Sequence, residues 1–245
     1  MSDNHFTPVV HVFSIMWNEE YLLPYFLRHY STFADTIFIF NDHSTDRTAE
    51  IAKAHPKVRL LDFNYDPGLH EDNFNDCFIK SYKQYSRGVA DWVMCVDADE
   101  LIYNRDIVGV LSEQHRRGIK ALKCTGYIMV SEKLPTTKGQ IYDECKIGTR
   151  SRGYDKPIVF SPEIDIKFGI GRHTAQLPPG IQAHKAKLTL LHYRYLSRDY
   201  IIERNAKSFP RWFGMDDKQK QYRTNGALKW YDNAIKTGQD LVEVV

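Results

Sequence analysis

The chain has 245 residues, enough for one large domain or a domain with a lobe, and its 42% apolar content supports a substantial core. A net charge of +2 gives no general reason to expect nucleic-acid binding. No apolar stretch is long enough to span a bilayer, and MSDNHFTP at the start has no basic-then-apolar signal pattern, although peripheral membrane contact stays open. Val9 to Met16 reads as an apolar strand that breaks at Trp17-Asn18-Glu19-Glu20. Leu22, Phe26, His29-Tyr30 and Phe33 then fall on one helical face, with Pro24 in the first turn, where its missing N–H costs nothing. Thr36 to Phe40 is the second strand. Asn41 to Asp46 is a turn-rich connection, and Ser44 or Thr45 is expected to cap a helix through about His55. Val58 to Phe63 is a third strand and Asp72 to Tyr85 a helix. Strand alternating with helix argues an α/β fold with a mostly parallel sheet covered on both faces.

Trp92 to Val96 continues the pattern as a buried strand that ends abruptly in Asp97, Asp99 and Glu100. If the chain stays extended there, Asp97 and Asp99 point the same way. Two adjacent carboxylates repel unless a positive charge sits between them, and all-oxygen ligands suit Mg²⁺ or Mn²⁺. A solvated turn or helix cap is the plainer alternative for a lone DAD. Three strand ends, however, carry polar residues: Asn18-Glu19-Glu20, Asn41-Asp42 and Asp97-Asp99. In a parallel sheet those ends share one edge, where ligands of open α/β sheets bind.

Beyond Glu100 the rhythm loosens. Asp106 to Arg117 reads as a helix, Lys120 to Val130 as a strand, and Leu134 to Asp155 as a long loop. Short strands follow at Ile158-Phe160, Ile164-Phe168 and Ala186-Leu191. A helix spans Ser197 to Phe209 with Tyr200, Ile201 and Phe209 inward, and Gln219 to Val245 reads as helical. Trp212-Phe213 and Trp230-Tyr231 suit either docking to membrane-linked or glycan acceptors or packing of a terminal helix. Cys77, Cys95 and Cys124 sit in apolar surroundings and, with Cys145, show no paired metal spacing. They read as buried thiols of a reducing compartment, so a cytoplasmic location is expected, extending to the inner face of the membrane.

WNEEYLLPYFLRHY, IFIFNDHSTDRT and WVMCVDADEL together resemble the glycosyltransferase family 2 type of nucleotide-sugar transferase. The similarity is to the branch with GxH, then LxHY, downstream, and runs from about Val9 to Tyr195. It implies a GT-A fold over residues 1–210, with a nucleotide-binding half at about 8–104 and an acceptor half at about 105–210. Residues 211–245 would form a helical extension. It implies a UDP or GDP sugar as donor, a glycan or lipid-linked acceptor, an inverting transfer and a role in polysaccharide biosynthesis. NDHSTD resembles the family's DDxSxD, with Asn41 at the first position and Asp42 the better match for base contact. Asn18, Glu19 and Glu20 are the acidic first loop. Asn75 occupies a place where this group often has Asn, with helix capping as the alternative. Asp97 would face the ribose or the metal and Asp99 would hold the Mn²⁺ or Mg²⁺. His192 of LxHY is the favoured third metal ligand, with His173 of GxH second or on phosphate or acceptor. Lys156, with Arg150 and Arg152 upstream, would close over the diphosphate or an acidic acceptor. For the base that an inverting transferase needs, Glu163 is the choice, with Asp165, Asp143 and Glu144 as alternatives.

The chemistry follows from charge. Breaking the bond to diphosphate leaves growing negative charge, which a divalent ion stabilises as a Lewis acid and preorganised cations stabilise further. Two other classes compete. Nucleotidyltransferases on similar sheets usually carry a Gly- and Arg-rich loop where this chain has WNEE. A non-catalytic nucleotide-sugar-binding module would not need Asp97, Asp99 and His192 intact.

Overall fold

The computed structural model describes residues 6–65, 70–211, 216–238 and 240–245. In chain order the elements are β1 (Val10–Met16), α1 (Leu23–Tyr30), β2 (Thr36–Asn41), α2 (Thr48–Ala54), β3 (Val58–Asp62), α3 (Glu71–Tyr85) and β4 (Trp92–Cys95). There follow β5 (Glu100–Tyr103), α4 (Ile107–Arg116), β6 (Ala121–Val130), α5 (Ile141–Glu144), β7 (Ile147–Arg150), β8 (Val159–Phe160), β9 (Lys167–Phe168) and β10 (Ala175–Gln176). The chain closes with β11 (His184–Tyr195), α6 (Arg198–Ser208), α7 (Asp217–Thr237) and β12 (Leu241–Glu243).

A ten-stranded mixed sheet is the centre of this α/β fold. One half runs β3-β2-β1-β4, all parallel. The β1 and β4 sequences, VHVFSIM and WVMC, are nearly all buried, as strands covered on both faces must be. Past β4 the order continues β8-β6-β7-β12, and β11 lies beside β6 and β5. There most pairings are antiparallel, with β11 and β6 the parallel exception. One apolar cluster runs from Val10 to Leu196, and a small second one joins Val130, Ile201, Leu228 and Tyr231.

Several expectations are revised. The chain does not stay extended through DAD. Glu100 N–H donates to the Asp97 carbonyl at 3.0 Å, which closes a turn, and β5 then leaves antiparallel to β11. An acidic turn is what lets the chain reverse here, since Glu100 Oε2 also accepts from Asp97 N–H at 3.3 Å. Ser44 and Thr45 do not cap α2; Asp46 Oδ1 accepts from Thr48 N–H at 2.9 Å instead. The expected loop over 134–155 contains α5, β7 and a 3₁₀ turn at Arg152–Tyr154. The expected strand at Ile164-Phe168 shrinks to β9, paired only with β10, whereas β11 extends to twelve residues. The tail is not wholly helical: α7 stops at Gly238, whose φ of 60° ends the helix, and β12 then pairs with β7.

The tail's Tyr231 packs in the second cluster and donates its hydroxyl to the Ser131 carbonyl at 2.8 Å. Trp230 lies 4.7 Å from the Tyr195 ring. Trp212 and Phe213 lie outside the described residues. All four cysteines are buried and unpaired. No helix among the described residues is long and apolar enough to cross a membrane.

Candidate active site

At the carboxyl edge of β1, β2 and β4 the three polar strand ends line one cavity of about 750 Å³. That volume lies within the range of about 300–1,000 Å³ common for small-molecule sites. Glu19, Glu20, Asp42, Asp97 and Asp99 all border it.

The first two strand ends are stitched together. Asn18 takes a left-handed conformation, φ 52°, and its Oδ1 accepts from Thr45 N–H at 2.7 Å. Glu19 N–H donates to Thr48 Oγ1 at 2.7 Å, and Glu20 Oε2 accepts from Arg47 N–H at 3.2 Å. Asn41 Oδ1 accepts from Ser44 N–H at 3.2 Å. These polar groups are therefore committed to holding the two loops in register, which leaves Glu19 and Asp42 as the carboxylates turned inward.

Each inward carboxylate meets a cation. Arg204 of α6 makes a two-pronged pair with Glu19, both distances 2.9 Å, and reaches Asp99 Oδ2 at 3.2 Å. Arg211 pairs with the buried Asp42 and lies 4.4 Å above the Trp17 ring. Arg172, almost fully buried, pairs with Asp97 and covers Phe78. Lys156 Nζ is 2.5 Å from Glu100 Oε1 and 4.0 Å from Asp97 Oδ2. Lys156 is 2% exposed and Glu100 0%, so this pair is a fixed part of the cavity floor.

The charges shape the titration of the site. Burial pushes the Glu19 carboxyl up to about 7; Arg204 pulls the other way, and Asp99 and Asp97 add to the rise. Asp99 is also opposed by burial, but His192 and Arg204 outweigh it and hold its carboxyl well below the usual carboxylate range.

His192 Nε2 stands 3.4 Å from Asp99 Oδ2, while its Nδ1 is buried with no partner among the described residues. Adjacent ligands of a six-coordinate ion bound at 2.0–2.1 Å are about 3 Å apart, so this O,N pair fits one divalent ion. Asp97 is not gathered with them, because Arg172 holds it. Among the described residues no group of three or more His, Cys, Asp or Glu is assembled for a metal. Of the expected trio Asp97, Asp99 and His192, two are brought together.

The other expected residues fall in different places. His173 is exposed at the cavity wall, its Nδ1 2.6 Å from the Gly153 carbonyl oxygen. Asn75 does not border the cavity and is not a cap. It sits inside α3, and its Nδ2 donates to the carbonyls of Phe168 and Gly169 at 3.5 and 3.4 Å. Arg150 pairs with Asp155 at 2.6 Å, and neither Arg150 nor Arg152 borders the cavity. Glu163 accepts from Gly88 N–H at 2.8 Å, and Asp165 pairs with Lys83 and Arg87 at 2.8 and 2.5 Å. Both border a separate shallow depression with Lys167 and Ile181. Asp143 caps α5 with Gln140, and Glu144 Oε2 accepts from Thr136 N–H at 3.2 Å.

Of the cavity's cations only Lys156 was expected from the sequence; Arg172, Arg204 and Arg211 were not. Arg172 stands between the Gly and His of GxH; Gly171, at φ 58°, and Arg172, at φ 55°, make the tight turn that sends its side chain inward. Tyr200, Arg204, Ser208 and Arg211 recur every three or four residues, one helical face, and all four border the cavity. That spacing was the available signal. Tyr154 was missed for a different reason. It reaches His192, ring centres 4.3 Å apart, because Gly126 on β6 lets its backbone approach. A Cβ at Gly126 would lie 2.4 Å from the Tyr154 backbone.

No known protein family matches the chain, and no curated protein matches it. Among solved structures it is similar to glucosyl-3-phosphoglycerate synthase from Mycobacterium tuberculosis. Those crystals hold Mn²⁺ and phosphoglyceric acid with uridine-diphosphate-glucose or with uridine diphosphate. The TM-score is 0.37 and the identity 20%, over 49% of this chain. The chain spans less than half of that enzyme, 44% of its length.

Proposed function

We propose that this protein is a metal-dependent glycosyltransferase of GT-A type, moving a sugar from a UDP or GDP sugar to a hydroxyl on a glycan or lipid-linked acceptor. The observation that carries the proposal is the convergence of Glu19, Asp42, Asp97 and Asp99 from three separate strand ends on one cavity that also holds buried cations. Isolated acidic turns would be scattered; these share one cavity and each is paired with a cation.

In this reading residues 8–104 form the nucleotide half and 105–210 the acceptor half, with 211–245 as an extension. Asp42 and Trp17 receive the base. Asp99 and His192 hold Mn²⁺ or Mg²⁺, and Asp97 completes the set by leaving Arg172. The ion would supply Lewis acidity toward the diphosphate. Lys156, Arg172 and Arg204 present positive charge to the departing nucleotide from buried and partly buried positions, where such charge acts more strongly than in open water. The base for the acceptor hydroxyl belongs among the cavity's own carboxylates, because Glu163 and Asp165 face another surface.

The test is a panel of nucleotide sugars assayed for Mn²⁺-dependent hydrolysis, a side reaction that needs no acceptor. Release of one nucleoside diphosphate, lost in Asp99→Ala, is expected. No hydrolysis and no binding of any nucleoside diphosphate would overturn the proposal.

A further inference from the structure

Arg172 holds Asp97 away from the Asp99–His192 pair, and the two partners of this ion pair differ in their freedom to move. The arginine is fixed, because its turn is fastened to α3. Gly171 N–H donates to Glu71 Oε2 at 2.9 Å, and Asn75 Nδ2 donates to the Gly169 carbonyl at 3.4 Å. Further along α3, the Phe78 ring lies 4.9 Å from the guanidinium. The side chain of Arg172 is 2% exposed and that of Asp97 45%. Asp97 stands on the short turn closed by Glu100 N–H, two residues from Asp99.

Moving Asp97 has unequal consequences for the two cations it faces. Lys156, 4.0 Å from Asp97 Oδ2, keeps Glu100 at 2.5 Å. Arg172 loses its anion: Asp97 is the one carboxylate its side chain bonds among the described residues, and its Nε is already buried without a partner. A buried guanidinium stripped of its anion is strongly unfavourable. A divalent ion that drew Asp97 to itself would strip Arg172 and set a second positive charge beside it. A diphosphate brings an anion instead, and a guanidinium meets phosphate oxygens with two parallel hydrogen bonds.

We infer that Arg172 is a positioning residue: it withholds Asp97 from the metal until the diphosphate of the nucleotide takes the carboxylate's place. A cation arriving alone finds only Asp99 and His192, and the complete metal site forms only with the nucleotide present. The inference rests on the transferase reading above and adds how that site is kept incomplete until its substrate arrives. Coupling between two ligands is reciprocal, so the metal's own affinity reports it.

The experiment follows free Mn²⁺ by its electron paramagnetic resonance signal while the ion is titrated into each protein, alone and with saturating UDP or GDP. Without nucleotide, Arg172→Gln is expected to bind Mn²⁺ about tenfold more tightly than wild type, because Asp97 is released. The same substitution made in an Asp97→Asn background is expected to give little gain, which separates a freed carboxylate from the mere loss of a positive charge. Arg172→Lys keeps the charge and is expected to stay near wild type. Asp97→Asn, which serves if Arg172→Gln does not fold, is expected to weaken Mn²⁺ about tenfold more with nucleotide present than without it. Mn²⁺ bound no more tightly by Arg172→Gln than by wild type would overturn the inference. So would an equal gain in both backgrounds, or equal weakening by Asp97→Asn with and without nucleotide. No binding of UDP or GDP by the wild type, with or without Mn²⁺, would instead end the transferase reading, and this inference with it.

Discussion

The two sides of the cavity are built differently. The β1-β2-β4 side presents carboxylates at the ends of buried parallel strands, positions set by the sheet itself. The opposite side presents cations from a 3₁₀ turn, a pre-strand loop, β11 and α6, elements with little regular connection to one another. Acids are thus fixed by backbone architecture and cations by side-chain reach. A pair formed between such sides is one that a ligand or ion can exchange, whereas a pair buried beneath both is structural. Lys156–Glu100 is of the second kind, and Arg204–Asp99 and Arg172–Asp97 are of the first.

That contrast orders the expected effects. The largest belongs to Lys156→Met, which strands Glu100 as a buried uncompensated charge and should cost about 3–5 kcal/mol by urea denaturation. Adding Glu100→Gln should recover most of it. A loss below about 1 kcal/mol would mean that water reaches the pair and that it belongs with the exchangeable ones. Arg204→Ala comes next, at about 2 kcal/mol, because its guanidinium is partly exposed while it links Glu19 with Asp99. The same variant should raise the Glu19 carboxyl further, since Arg204 is what pulls it down.

The pH dependence is a smaller effect. Glu19 is raised from 4.5 to about 7, so the folded state holds this proton more tightly than the unfolded one. Its contribution is fully present below about 4.5 and is lost as pH rises through about 7, with a slope of at most about 1.4 kcal/mol per pH unit. Glu19→Gln should flatten stability across that window. Asp99 has the opposite sign: its contribution is present above the ordinary aspartate value and is lost as pH falls. Stability that rose between pH 5 and 7 in the wild type, with no change in Glu19→Gln, would contradict the raised carboxyl. Smallest of all is Glu163→Gln. This exposed group should change stability by less than about 0.5 kcal/mol and leave nucleotide binding intact. A loss of nucleotide binding there would move the site.

The same division explains what could be read from the sequence. The parallel half was legible because VHVFSIM, TIFIF and WVMC are apolar runs of strand length, each closed by a polar break. Convergence of Asp42 and Asp99 followed from strand direction alone. The turn at Asp97 to Glu100 was legible only as the plainer alternative for DAD, because a carboxylate accepting a local backbone N–H leaves no mark in composition. Nor, Lys156 apart, were the cations. Arg204 and Arg211 reach the cavity only because α6 crosses its mouth, and nothing local to SRDYIIERNAKSFPR fixes where that helix packs. Glu163 was expected near an acceptor because it lies beside the Lys156 strand, with Asp165 an alternative in the same half. The chain between leads outward, to Lys83 and Arg87 at the end of α3.

The central claim is that Asp99 and His192 sit where a divalent ion and a nucleoside diphosphate bind together. Calorimetric titration of UDP and of GDP, each with and without Mn²⁺, into wild type and Asp99→Ala tests it directly. One nucleotide should bind the wild type at least about tenfold more tightly with the metal, and that gain should vanish in Asp99→Ala. Binding unaffected by Mn²⁺, or a metal effect that survives Asp99→Ala, would contradict it.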